Sequence, residues 1–157
     1  MMKYTLSIII ALLFSPIIAV QAEDLTQTIS IVPTPVQVVP GEGSYRFSEN
    51  TVFAVENAGQ AEIVRNFIGL FTCAGGFTPL LKEGSNTGDV CFITDRSLKS
   101  EAYRLDVTSD KIVINASDVK GFFYALQTIR MLLPASIENA RNVGGDVDWA
   151  ASNNNPR

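Results

Sequence analysis

The stretch Tyr103-Arg104-Leu105-Asp106-Val107, then Lys111-Ile112-Val113-Ile114-Asn115-Ala116-Ser117-Asp118, then Gly121-Phe122-Phe123-Tyr124-Ala125-Leu126-Gln127-Thr128 decides the fold. Residues 103–107 alternate apolar and polar, Ser109-Asp110 makes a turn, and residues 111–115 return, so the first two runs predict a β-hairpin. The period then changes. Phe122, Leu126, Ile129 and Leu133 recur at helical spacing, widened by Val119, Phe123 and Met131, with Ser117 or Asp118 placed to cap the start and Pro134 to end it.

Upstream, Ile63, Val64, Phe67, Ile68 and Phe71 fall at three- and four-residue spacing within Ala61 to Ala74, a second amphipathic helix that Gly75-Gly76 can stop. Short β-type runs surround it: Val36 to Val39, Tyr45 to Phe47, Thr51 to Val55, Phe77 to Leu81 and Val90 to Thr94. Pro33 and Pro35 force an extended lead-in, and Pro40-Gly41-Glu42-Gly43 reads as a turn rather than a phosphate loop. Exposing a helix with a broad apolar stripe costs several kcal/mol at roughly 25 cal/mol per Å². Both helices must therefore lie on a sheet, and the expected fold is α+β, a mixed sheet with two helices packed on one face.

The front of the chain has the three-part layout of a secretory leader. Met1-Met2-Lys3 is positive, Leu6 to Val20 is almost unbroken apolar sequence, and Ala22 is the expected cleavage point. Its roughly 15 apolar residues are short for a membrane helix, which needs about 20, although an uncleaved anchor is the alternative. No Cys follows the run, which argues against a lipid anchor. Residues 1–22 are thus read as a signal peptide, 23–30 as a terminal segment without structure, 31–134 as the folded domain, and 135–157 as a linker. The expected location is periplasmic or extracellular, with no membrane association after cleavage.

Loss of Lys3 takes the formal charge from −4 to −5, with no basic cluster to hold nucleic acid. The chain has no His. That removes Ser-His-Asp and Cys-His catalysis and the helical His-Glu-x-x-His zinc site, but leaves carboxylate chemistry open. Gly144-Gly145-Asp146 resembles a glycosidase acid motif, yet Val147 stands where a Glu is needed, so a turn is the better reading. Asp146 and Asp148 offer too few ligands for a cation. No other carboxylates have the spacing of an acid/base pair, so no catalytic residue, metal site or cofactor is assigned. Asn115-Ala116-Ser117 is a glycosylation sequon by pattern only. Cys73 and Cys91, the only two cysteines of an exported chain, form either a disulfide or two buried thiols. Tyr45, Tyr103, Tyr124 and Trp149 are the aromatics able to stack on a sugar. The neighbours of Tyr103 and Tyr124 suggest core for both, and Trp149 is expected to pack on whatever follows.

The hairpin and the Gly121 to Thr128 helix resemble those of β-N-acetylhexosaminidase N-terminal domains, where the helix reads G-x-F-Y-G-x-Q-T; Ile31 to Pro35 and Gly41 to Phe47 fit as well. The resemblance covers Ile31 to Pro134. It implies glycoside hydrolase family 20 and a non-catalytic domain of zincin-like topology without zinc. It also implies a (β/α)8 catalytic barrel C-terminal to Arg157. In that family an Asp orients the substrate's 2-acetamido group for internal attack and a neighbouring Glu protonates the leaving oxygen, a departure from the two-carboxylate scheme. That Asp-Glu motif is absent from these 157 residues. The resemblance therefore implies an inert accessory part of an exported enzyme acting on N-acetylhexosamine-containing glycans. The alternatives are the front domain of another hexosaminidase-type glycosidase and a free-standing carbohydrate-binding or protein-interaction module. If a barrel follows, the surface it covers is expected around Ile137, Val143 and Trp149, with residues beyond about Ala140 mobile in its absence.

Overall fold

The structure is a computed structural model that describes residue 37, residues 43–144 and residues 147–152. The leader, the segment 23–30, the Ile31 to Pro35 lead-in and, except for Gln37, the Val36 to Val39 run lie outside the described residues. So do Gly145 and Asp146.

Seven strands and two α-helices are present among the described residues: β1 Tyr45–Arg46, β2 Val52–Val55, α1 Ala58–Leu70, β3 Leu80–Glu83, β4 Val90–Thr94, β5 Tyr103–Val107, β6 Ile112–Ala116, α2 Val119–Leu132 and β7 Ala150–Ala151. A five-stranded sheet runs β3-β2-β4-β6-β5. The β2/β3, β2/β4 and β4/β6 pairs are parallel and the β5/β6 hairpin is antiparallel. The sheet is therefore mixed, as expected. A parallel pair needs a long crossover, and α1 supplies the one between β2 and β3.

Strand alternation fixes which residues meet the helices. Phe53 lies opposite Val90, and Val90 opposite Ile112, so these residues and Val55, Phe92 and Ile114 share one face. Phe53 packs edge-on to Phe67 of α1 at 6.0 Å, and Phe92 meets Phe122 of α2 at 5.5 Å. Both helices thus cover the same face. From α1 the core takes Val64, Phe67 and Ile68, and from α2 Phe122, Ala125, Leu126 and Ile129.

Each helix starts on a polar cap. Asn57 Oδ1 accepts from the Gln60 N–H, while Gln60 Oε1 accepts from the Glu56 N–H, so α1 begins three residues before the apolar period does. It ends in a π-helical turn, Phe71–Gly75, closed by Gly76 in the left-handed region at φ 71°. Asp118 Oδ1 accepts from the Gly121 N–H to start α2. Gly121 has a second reason to be glycine. A Cβ there would stand 2.6 Å from the Ala102 carbonyl oxygen and 2.9 Å from Ala116 Cβ, so α2 sits on the sheet more closely than any side chain permits.

The expected linker is corrected. Ala150 and Ala151 form β7, antiparallel to β1, with Tyr45 opposite Ala151 and Arg46 opposite Ala150. The Phe47 N–H donates to the Trp149 carbonyl, Val143 N–H to Ala74, and Ser152 N–H to Leu132. Ile137, in the 3-10 turn Ala135–Glu138, is buried, and Trp149 is only 8% exposed, packed against Phe71 and Phe77. The domain therefore continues at least to Ser152. Its apolar residues there are too widely spaced to show a period, yet Ile137, Trp149, Ala150 and Ala151 are buried. Trp149 needs no partner beyond this chain.

Candidate functional surface

Within the described residues the carboxylates held most strongly, Asp118 and Asp95, have structural partners. Asp118 accepts from the Gly121 N–H, from the Ser100 hydroxyl at 2.7 Å and from the Glu101 N–H at 3.1 Å, and these bonds, Gly121's foremost, hold its carboxyl below the usual range. Asp95 is lowered by the hydroxyl and then the backbone N–H of Ser97. A general acid needs the opposite shift. Asp89 accepts from the Val52 N–H at 2.8 Å, and Asp148 pairs with Arg46 at 2.9 Å on the surface. Among the described residues, no group of three His, Cys, Asp or Glu stands close enough to hold a metal.

Cys73 and Cys91 are free thiols, and the bridge between them is not formed. Cys91 pairs in register with Ala54 and Val113, one residue out of phase with Val90 and Phe92. It therefore lies on the sheet face away from the helices, where its Sγ donates to the Gly88 carbonyl at 3.1 Å. Cys73 is exposed on the π-helical turn after α1, on the other side of the sheet.

The candidate sugar-stacking aromatics separate. Tyr45 is buried with its hydroxyl on Thr51 at 3.2 Å, and that burial raises its pKa. Tyr103 is half-buried and shares a 2.6 Å hydrogen bond with Thr128. Tyr124, expected in the core, is instead 43% exposed. So are two residues assigned to the α2 stripe, Val119 at 41% and Phe123 at 44%. The sheet accepts only the Phe122, Ala125, Leu126 and Ile129 side of the helix, and a residue 100° around from Phe122 faces outward.

Of the six exposed large apolar residues among those described, these three lie on α2. The Phe123 and Tyr124 rings are edge-to-face at 5.8 Å. Beside them Lys120 Nζ donates to Glu101 Oε1 at 2.9 Å, and that partner raises the Lys120 pKa. Arg130 pairs with Glu138 farther along, and its pKa is raised likewise. The other exposed large apolar residues are dispersed: Leu80 on edge strand β3, Ile93 on β4, and Val143 in a loop.

The described residues thus form a mixed-sheet α+β domain with two helices on one face and exposed aromatics along one of them. Residues 28–147 match the model of glycosyl hydrolase family 20, domain 2, and the chain belongs to that family. It is similar to the β-hexosaminidase of Porphyromonas gingivalis, 25% identical over 128 residues, covering 79% of this chain and 16% of that protein. The solved family 20 β-N-acetylhexosaminidase of Streptomyces coelicolor superposes with a TM-score of 0.68 at 27% identity, over 78% of this chain and 24% of that one. Streptomyces plicatus β-hexosaminidase, solved with its product GlcNAc, gives the same TM-score, identity and coverage. At 22% identity and a TM-score of 0.55, the Bacteroides fragilis β-N-acetylhexosaminidase shares the fold. This chain thus spans between about a sixth and a quarter of the length of these relatives.

Proposed function

We propose that this chain is the accessory domain of an exported β-N-acetylhexosaminidase whose catalytic barrel follows it. The parent enzyme removes terminal non-reducing N-acetylhexosamine by substrate-assisted retaining catalysis. The observation that carries this reading is the match of residues 28–147 to family 20 domain 2, together with relatives in which this domain is a minor part of a hexosaminidase. The GlcNAc product in the Streptomyces plicatus structure supports the substrate class. The leader-like residues 1–22 support export.

The test starts with the DNA beyond codon 157. The reading requires an in-frame barrel with an adjacent Asp-Glu pair. The polypeptide expressed whole should then release product from an aryl N-acetyl-β-glucosaminide, and the 157-residue chain should not, because neither acetamido participation nor leaving-group protonation has a residue to support it. Turnover by the purified short chain, free of host enzyme, contradicts this. Exported material should begin at Glu23 by mass spectrometry, and an intact Met1 would make the apolar run an anchor.

A second reading, a free-standing binding module, is favoured by one observation. Trp149 and β7 complete the domain from its own residues. A stop immediately after codon 157, with glycan binding that depends on Tyr124, would establish it.

A further inference from the structure

We draw no further inference here: the strongest candidate, the face of the five-stranded sheet away from the helices, on which Leu80 and Ile93 stand exposed, is an apolar surface for which nothing in the structure shows what covers it.

Discussion

Asp118 joins three pieces of chain through one carboxylate: the first turn of α2, Ser100, and the backbone at Glu101, which sits at φ 67°. Its folded pKa lies below the unfolded value of about 3.9. The stabilisation this gives is therefore complete above that unfolded value and is lost as pH falls through the folded pKa. Asp118→Asn keeps a side chain able to cap but removes the charge. Its melting temperature should fall below the parent's at pH 7, and thermal melts should show the two converging toward pH 3. Gly121→Ala acts by shape. The added methyl meets a backbone carbonyl that cannot swing away, and overpacking of this kind costs about 1–3 kcal/mol, readable in urea titrations with an unchanged slope. The sequence displays Gly121 at a helix start but gives no sign of the Ala102 carbonyl opposite it. The Asp118 cap, by contrast, follows from residue type and position alone.

At the scale of elements, legibility tracks how local the determining contacts are. Residues 103–107 are bounded by their own alternation and 90–94 by a continuous β-type run, and they match β5 and β4. The Phe77 to Leu81 run fares less well, because β3 begins at Leu80 where pairing with Val52 starts. The π-helical turn extends the periodic run of α1, and no residue type marks the change of hydrogen-bond partner. In α2 the apolar residues exceed what one sheet face can cover, so period alone could not separate Phe122 from Phe123. Strand β7 was invisible because two alanines carry no pattern and their partner lies about a hundred residues away. Its contribution can be measured. Trp149→Ala should destabilise the domain by about 3–5 kcal/mol, seen in chemical denaturation by far-UV dichroism. Deleting residues 135–157 should cost more, since it also removes Ile137 and the β7 pairing. As Trp149 is the only tryptophan, its emission reports when this seat opens.

For the molecule as a whole, the α+β class and the two helices on one face were legible because burying two apolar stripes leaves few arrangements. The exposed side of α2 was not, because an apolar residue that faces water and one that meets the core look alike in the sequence, and only three-dimensional placement separates Phe123 from Phe122. The antiparallel β1–β7 ribbon has a mechanical consequence. Tyr45 opposes Ala151, so the chain comes in and goes out at the same end of a two-residue ribbon. Tension between the flanking segments then loads the ribbon's bonds one after another, as in a zipper, and never all at once in shear. A pull from either side should peel open this seam at low force and unseat Trp149 while the five-stranded sheet still holds.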